Sequence, residues 1–314
     1  MTIENKNISV VVPVYNSSKS LLELHSRLIS ILKKISSHYE IIMVDDGSRD
    51  NSYSVMKDIR INDPNVKIIK LLKNFGQHNA VVCGFNYVGG DYIVTIDDDL
   101  QNPPEEIPML LNKLLDGFDV VIGVPVQKKH NLLRKIGSAV IMKLCNWILG
   151  YPKEIRQSSF RILRKIAVDN IIKIKTSYPY LPGYIAQVVS FDKIVNVKIK
   201  HVKRKYGSSN YSLRRLLKLT LNLLINYSSL PLRIISIIGL LSSISSIIYG
   251  ISLIIRKLVS QTIVLEGWTS IIVLVAFIGG LILFSLGIIG EYLKRIINEI
   301  SKRNQYIIDE IFIE

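Results

Sequence analysis

Short apolar segments alternate with amphipathic segments along the first third of the chain. The apolar segments are rich in Val and Ile, as expected of buried strands, whereas the segments between them have the period of a helix. Regular alternation of strand and helix predicts an α/β domain with a doubly wound, mostly parallel sheet. The predicted strands cover residues 8–14, 40–44, 66–71, 92–96 and 119–123, and the predicted helices lie near 18–35, 50–61, 76–88 and 104–116.

The pattern becomes irregular and more basic between residues 124 and 205. Strands are predicted at 159–164 and 194–202. A helical face over 133–147 suits either a core helix or a helix lying on a membrane surface. The Gly- and Ser-rich loop at 204–211 carries cations, and it either closes over a diphosphate or forms a solvated turn.

Two long apolar segments follow, at residues 232–255 and 268–289. Each has about 20 residues or more, which is enough to cross a ~30 Å hydrocarbon core. An amphipathic helix is predicted at 212–229, at the level of the lipid headgroups. Because Lys and Arg flank both apolar segments, we expect a hairpin in the inner membrane with its two ends and the α/β domain in the cytoplasm.

These patterns divide the chain into four parts. The α/β domain is expected at 1–211 and an amphipathic juxtamembrane helix at 212–229. The two transmembrane helices fall within 230–291, and a cytoplasmic C-terminal helix and tail occupies 292–314. No cleavable signal peptide is expected, because the polar N-terminus runs directly into a strand.

Composition and charge narrow the class of partner. The 314 residues are 48% hydrophobic with a net charge of +15, which suits anionic lipids or phosphorylated substrates. Nucleic acid is not expected as a partner, because the chain has no zinc-finger spacing, no RNP-type motif and no basic tail. Cys83 and Cys145 lie in apolar helical patterns and are expected to be packing residues.

The acidic run Asp97-Asp98-Asp99 follows the fourth predicted strand, and a Pro-started helix comes after it. Three adjacent carboxylates repel one another, and a divalent cation with oxygen ligands relieves that repulsion. In an extended backbone Asp97 and Asp99 point the same way, which is the geometry of a metal site that also holds a diphosphate. The alternative is an acidic turn that caps the helix, with Asn102 as the N-cap.

The first two predicted strands also end in polar residues. The first is followed by Tyr15 and Asn16, and the second ends in Asp45 and Asp46 before a tight turn at Gly47. A carboxylate at this edge can accept hydrogen bonds from a nucleobase or a ribose. Because no G-x-G-x-x-G follows the first strand, we exclude a dinucleotide-binding fingerprint.

Taken together, these motifs resemble the family 2 glycosyltransferases that act on polyprenyl phosphates. That group includes dolichol-phosphate mannose synthases, bactoprenol glucosyltransferases and undecaprenyl-phosphate aminoarabinose (formamidoarabinose) transferases. The resemblance implies a GT-A fold, a nucleotide-sugar donor that is expected to be UDP-linked, Mg²⁺ or Mn²⁺, and inverting transfer to a polyprenyl phosphate such as undecaprenyl phosphate. It rests on residues 12–16, 45–48, 74–78, 97–105, 160–161 and 204–211.

The resemblance also implies roles for individual residues. Those expected to bind the nucleotide sugar are Pro13, Tyr15, Asn16, Asp45, Asp46, Gly76, Gln77, Asp97, Asp98 and Asp99. Asp97, Asp99 and Gln101 are expected to ligate the metal, and Arg161 and Arg204 to balance phosphate charge, so that Asp97, Asp99, Arg161 and Arg204 form the catalytic set. The residues expected at the acceptor phosphate and the membrane are Lys203, Arg204, Ser209, Tyr211, Arg214 and Arg215.

Three positions depart from the pattern of the family. Ser17 stands where a Glu is usual, Asn210 stands where a Lys is usual, and residues 156–159 lack the acid or Gly-Cys of relatives. The last departure means that the identity of the sugar cannot be carried over. The oligomeric state also stays open, and a homo-oligomer is one of the alternatives.

Two other classes of protein compete with this prediction. A processive polysaccharide synthase would share the same core, but the chain has no Q-x-x-R-W motif and only two apolar spans. A membrane subunit with a decayed active site would be expected to lose its polar edge, yet Asp97, Asp99, Gln101 and Arg161 are all present.

Overall fold

The computed structural model describes residues 6–126, 143–176, 179–200, 202, 205, 224–225, 228–260, 267–301 and 304–313. Eight strands lie within these ranges: β1 (Asn7–Val14), β2 (His38–Asp45), β3 (Val66–Leu71), β4 (Tyr92–Thr95), β5 (Val120–Pro125), β6 (Arg161–Arg164), β7 (Ile194–Ile199) and β8 (Ile308–Phe312). The helices there are α1 (Leu21–Ile35), α2 (Ser52–Asn62), α3 (Gln77–Phe85), α4 (Ile107–Leu115), α5 (Lys165–Ile171), α6 (Leu181–Val188), α7 (Leu230–Ser260) and α8 (Trp268–Ile300). Residues 143–149 are also helical.

All eight strands form one sheet in the order β7-β5-β6-β4-β1-β2-β3-β8. The pairs β1–β2, β1–β4, β2–β3 and β5–β7 are parallel, whereas β6 and β8 run antiparallel to their neighbours. Six strands therefore share one direction. This arrangement confirms the predicted α/β class with a mostly parallel sheet, and the strands predicted in the first third lie within two residues of those observed.

Helices cover both faces of the sheet because successive strand residues point to opposite sides. On one face, Val10 and Val12 of β1 pack against buried residues of α1, α2 and α4. On the other face, Val11 and Ile42 pack against α3, α5 and α6. The central strands are buried on both faces, which explains why they read as continuous apolar runs.

The C-terminal segment differs from the expected helix and tail. Residues 308–312 form β8, which pairs antiparallel with β3 at the edge of the sheet. Glu310 on this strand accepts a hydrogen bond from the Tyr53 hydroxyl at 2.8 Å and lies 3.2 Å from the Lys70 ammonium and 3.4 Å from that of Lys57. The strand was missed because it is short, half exposed and distant in sequence from its partner.

The chain divides into two compact units, residues 1–216 with 303–314, and residues 217–302. The second unit holds α7 and α8, where the Tyr292 hydroxyl donates to the Ser228 carbonyl at 2.8 Å. Two stretches are long and apolar enough to cross a membrane, Leu230–Tyr249 and Phe277–Ile300, and neither is buried within the protein. Most of the predicted 212–229 helix and residues 127–142 lie outside the described residues.

We expect Glu310→Ala to lower the unfolding temperature of the catalytic unit by several degrees, because Tyr53, Lys57 and Lys70 lose their shared acceptor. The hydrogen bond from Tyr53, with the neighbouring lysines, lowers the pKa of Glu310. Its stabilising effect is therefore complete above the ordinary glutamate pKa and is lost as the pH falls through the lowered value. Thermal unfolding at neutral and acidic pH measures both effects.

The exposed Glu154→Ala serves as the matched control. Equal unfolding temperatures for the two variants would contradict the view that Glu310 holds β8 on the sheet.

Candidate active site

The candidate active site lies where neighbouring strands end. Strands β4, β1 and β2 are adjacent and parallel, so their carboxyl ends meet at one edge of the sheet. Tyr15 follows β1, Asp45 ends β2, and Asp97 comes shortly after β4. Arg161, the first residue of β6, pairs with Thr95 at the same edge. Open α/β sheets bind ligands at this edge. The fold thus brings these predicted residues to the same edge.

The acidic run forms a turn, where the sequence pattern suggested an extended segment, and its carboxylates have different partners. The Asp98 carboxylate accepts a hydrogen bond from the Tyr15 backbone N–H at 3.0 Å, and that of Asp99 accepts one from the Gln101 N–H at 3.0 Å. Burial, opposed by the hydrogen bonds from Ser17 and Tyr15 and reinforced by the two flanking acids, raises the pKa of Asp98 to about 6. The middle acid thus ties the turn to the end of β1.

Leu100 closes this turn in the left-handed region, with φ 61°, and its side chain is buried. A non-glycine residue with positive φ stores strain that the surrounding structure must hold. Burial of the Leu100 side chain in the core supplies that restraint. The core therefore holds the backbone conformation of the acidic turn. No pattern in the sequence indicated this conformation.

The Asp97 carboxylate lies between two side chains from other elements. One oxygen accepts a hydrogen bond from the Gln77 amide at 2.6 Å, and the other accepts one from the Ser159 hydroxyl. The positive charge of Arg161 also acts on it. Asp97 therefore joins the start of α3 to the start of β6.

The two acids at the end of β2 have different surroundings. Both oxygens of Asp46 accept backbone hydrogen bonds, from Phe75 N–H at 2.7 Å and Gly76 N–H at 2.9 Å. Asp45 accepts from the Ser48 N–H through one oxygen at 3.2 Å, while its second oxygen is buried and has no hydrogen-bond partner in the part of the chain that the structure describes. Burial raises the pKa of Asp45, and it raises the pKa of Asp46 to about 6.

The loops after β1 and β2 are fastened to each other. The Asn16 N–H donates to the Ser48 hydroxyl at 3.0 Å, and the Asn16 amide oxygen accepts from the Arg49 N–H at 2.8 Å. Gly47 has φ +67°, and a Cβ at this position would lie 2.6 Å from the backbone of Lys73 and Asn74. Only glycine permits this close approach to the loop after β3.

A small cavity opens beside Asp97, and sequence reasoning missed most of the residues around it. Its wall includes His78, Leu181 and Arg161, which is only 3% exposed. Burial and then the charge of Arg161 lower the pKa of His78 to about 4, so this imidazole is neutral at physiological pH. Burial lowers the pKa of Arg161, although Tyr151, Tyr180 and Asp97 oppose the shift. Only the tertiary fold brings α3, β6 and α6 together here.

The basic loop predicted to close over a diphosphate is described only in part. Its start lies near the acidic turn, because the Val202 N–H donates to the Gln101 carbonyl at 3.0 Å. Lys205 pairs with Glu23 of α1 at 2.6 Å. The predicted residues Lys203, Arg204, Ser209, Tyr211, Arg214 and Arg215 lie outside the described residues.

Metal binding at this edge would need ligands from outside the protein. Among the described residues, no group of three His, Cys, Asp or Glu side chains is placed to hold a metal ion. Asp97 and Asp99 are two hard oxygen donors, and the Gln101 side chain is a third neutral one. Such a set suits a cation that takes its remaining ligands from a diphosphate and water.

The mostly parallel sheet, with an acidic turn after its fourth strand, fits a glycosyltransferase of the GT-A fold. The chain belongs to the family described as Glycosyl transferase family 2, whose sequence profile matches residues 9–172. The predicted family and fold are both confirmed, and the protein is a glycosyltransferase. The roles of individual site residues stay predictions.

Relatives with similar sequences match almost the whole chain. An undecaprenyl-phosphate 4-deoxy-4-formamido-L-arabinose transferase of Proteus mirabilis is 33% identical over 314 residues, which is 99% of this chain and 95% of that protein. The protein of the same name from Salmonella choleraesuis is 34% identical over 309 residues, 98% of this chain and 94% of that one.

A solved structure shares the fold at lower identity. Glucosyl-3-phosphoglycerate synthase of Mycobacterium tuberculosis, in complex with Mn²⁺, uridine diphosphate and phosphoglyceric acid, is 18% identical with a TM-score of 0.51. The match covers 70% of this chain and 76% of that one. At this identity the likeness concerns the fold alone.

We expect Gly47→Ala to destabilise the protein by about 1–3 kcal/mol, because the new Cβ adds a steric clash to an unfavourable positive φ. Gly117→Ala is the matched control, since Gly117 has φ +105° and a Cβ added there would meet nothing within 4 Å. Chemical denaturation measures the difference in the free energy of unfolding. Transferase activity should fall only for Gly47→Ala, and equal losses in both variants would show that loop approach is unimportant.

Proposed function

We propose that this protein transfers a sugar, with inversion, from a nucleotide-sugar donor to the phosphate of a polyprenyl phosphate, and that the lipid-linked sugar serves cell-envelope glycan synthesis or lipid A modification. The observation that carries the proposal is the extent of the match to the relatives. It covers 98–99% of the chain, so it includes α7 and α8 as well as the catalytic unit. The name of those relatives contains undecaprenyl phosphate, a membrane lipid.

The donor is proposed to bind across the carboxyl edge with its nucleoside at β1 and β2. Asp45 supports this placement, because its unpaired buried oxygen needs a hydrogen-bond donor. The N–H of a uracil base is a donor of the right kind, and we therefore propose a UDP-linked sugar. Asp46 and Asp98 are proposed to support donor binding indirectly. They accept hydrogen bonds from the backbone of Gly76 and Tyr15 and so hold the loops that carry these residues.

A divalent cation, Mg²⁺ or Mn²⁺, is proposed to bind between Asp97, Asp99 and Gln101. The donor set fits, because hard oxygen ligands suit both ions and the like charges of the acidic turn need a counter-charge. When bound, the ion would stabilise the negative charge of the departing nucleoside diphosphate. The hydrogen bonds from Gln77 and Ser159 orient the Asp97 carboxylate for this role.

The acceptor needs positioning more than deprotonation. A phosphate monoester has a second pKa of about 6, so its oxygen is already ionised at neutral pH. Attack on the anomeric carbon, from the side opposite the diphosphate, inverts its configuration in a single displacement. We propose that Lys203, Arg204, Ser209, Tyr211, Arg214 and Arg215 receive the acceptor phosphate and the lipid headgroups.

The path of the chain supports a membrane hairpin. The chain leaves the catalytic unit at residue 216 and returns to it at residue 303, and β8 then joins the sheet. A strand of a folded sheet cannot lie across a bilayer from that sheet. If α7 and α8 cross the membrane, both of their outer ends must lie on the catalytic side, which we assign to the cytoplasm from the flanking Lys and Arg.

The test of the function is direct. The purified full-length protein is incubated with undecaprenyl phosphate, Mg²⁺ or Mn²⁺, and a panel of UDP- and GDP-linked sugars, and the lipid products are identified by mass spectrometry. We expect a single sugar linked to the lipid phosphate with a UDP donor. A polymer would instead indicate a processive synthase, and the lack of any lipid product would refute the proposal.

Asp99→Asn should reduce turnover by at least about a hundredfold while leaving the fold intact, because it removes an anionic metal ligand but keeps an oxygen for the Gln101 N–H. The measurement is the initial rate against metal concentration after EDTA treatment. Asp116→Asn, which changes an exposed acid at the end of α4, is the control. A metal-independent rate close to that of the wild type would eliminate the proposed metal site.

A reporter fused after Glu314 should behave as cytoplasmic, and a tag placed between residues 261 and 266 should react from outside the membrane. The measurement is labelling of single cysteines by an impermeant reagent in whole cells. Cys83 and Cys145 are buried and should stay unlabelled in the parent protein. External labelling of the C-terminus would rule out the hairpin.

A further inference from the structure

Residues 305–312, which we call the C-terminal strap, contact separate parts of the catalytic unit. The first residue of the strap, Gln305, donates through its side-chain amide to the Ile174 carbonyl and to the Tyr184 hydroxyl, both at 3.3 Å. The last five residues form β8 at the edge of the sheet. Between these two anchors the strap passes elements that surround the candidate site.

Two consecutive residues of the strap hold the two ends of one segment of the chain. The Ile307 carbonyl accepts a hydrogen bond from the Leu72 N–H at 2.9 Å, directly after the end of β3. The Tyr306 hydroxyl accepts one from the Asn86 side-chain amide at 3.0 Å, directly after the end of α3. A further hydrogen bond joins Tyr306 to the thiol of Cys83 in the last turn of α3.

The segment 72–86, whose ends are held in this way, meets the candidate site in its middle. The Gly76 N–H donates to the Asp46 carboxylate at 2.9 Å, and the Gln77 side-chain amide donates to the Asp97 carboxylate at 2.6 Å. Gln77 is the first residue of α3. The helix that the strap holds at its C-terminal end therefore contacts the acidic turn through its N-terminal end.

Apolar packing alone would hold α3 less exactly. The helix rests on the sheet through buried residues such as Val81 and Val82. Hydrophobic contacts are non-directional, so they keep the helix against the sheet but restrain its position along its own axis only weakly. Hydrogen bonds depend on distance and angle. The bond from Asn86 to Tyr306 therefore helps to set where Gln77 lies relative to Asp97.

The strap is itself fixed to the sheet. The register between β3 and β8 shifts between Lys70 and Leu71, which leaves Asp309 as an extra residue on β8. The Asp309 carboxylate pairs with the Lys70 ammonium at 2.6 Å. Bulges of this kind are common at sheet edges and next to active sites, where they redirect a strand. The strap thus gives Tyr306 and Ile307 a firm support.

We propose that Tyr306 is a positioning residue for donor binding. It holds the C-terminal end of α3, so that Gln77 at the other end keeps Asp97 in the orientation that the metal and the donor diphosphate need. The inference rests on the proposed function, because it concerns the same donor site. Tyr306 acts only through α3, so its removal weakens binding of the donor and leaves the transfer step intact.

The experiment measures nucleotide binding directly. Calorimetry follows the binding of UDP, in the presence of Mn²⁺, to the full-length wild type and to Tyr306→Phe. We expect the variant to bind UDP about threefold to tenfold more weakly, because it loses a hydrogen bond to α3 but keeps its aromatic ring. In the lipid-product assay its KM for the donor should rise by a similar factor, whereas kcat should change by less than about twofold.

Three further variants separate positioning from stability. Asn86→Ala removes the exposed partner of the same hydrogen bond and should weaken UDP binding to a similar extent. In a Gln77→Ala background, Tyr306→Phe should weaken UDP binding by less than about twofold, because the contact through which it acts is already lost. Tyr53→Phe is the matched control, since it removes a hydroxyl that holds the strap from α2 by donating to Glu310. It should lower the unfolding temperature and leave UDP affinity unchanged.

Three results would overturn the inference. They are an unchanged UDP affinity in Tyr306→Phe and Asn86→Ala, an equal loss of affinity in Tyr306→Phe and Tyr53→Phe, and a full effect of Tyr306→Phe in the Gln77→Ala background. Lipid product formed alongside any of these results would leave the proposed function standing. A wild type that binds no UDP would also refute the inference, and if it forms no lipid product from any donor, the proposed function fails as well.

Discussion

Hydrogen bonds from backbone N–H groups to carboxylates at the carboxyl edge of the sheet hold this active site together. Asp98 accepts from Tyr15, and Asp46 accepts from Phe75 and Gly76. Each bond joins the end of one strand to the loop after another. Asp98, which its neighbours Asp97 and Asp99 repel, therefore holds the acidic turn against the end of β1, and Asp46 holds the loop after β3 against the end of β2.

The candidate site contains three locally unfavourable features. Leu100 keeps a left-handed backbone, and among the described residues one oxygen of Asp45 and two nitrogens of Arg161 are buried without a hydrogen-bond partner. A protein selected for stability alone would remove such features. These features occur together at one edge of the sheet. The rest of the sheet differs, because apolar residues of β1 and β2 are packed there on both faces.

Local pattern was enough to predict part of this structure. Buried strands and their intervening helices follow from periodicity, and the polar strand ends follow from the residues that come after each strand, whereas the metal site inferred from charge repulsion at 97–99 stays a prediction. Tertiary placement decided the rest. The position of β6 between β4 and β5, the pairing of β8 with β3, and the approach of His78 to Arg161 join segments far apart in sequence, for which no local signal exists.

The late position of β8 in the chain has a consequence for biosynthesis. Until residues 308–312 leave the ribosome, β3 presents an open strand edge, and such edges recruit other chains. Helices α7 and α8 precede β8 in the chain, so a nascent protein would complete its sheet only after both apolar helices had been made. A chain truncated before β8 would leave the edge of β3 open to pairing with other chains.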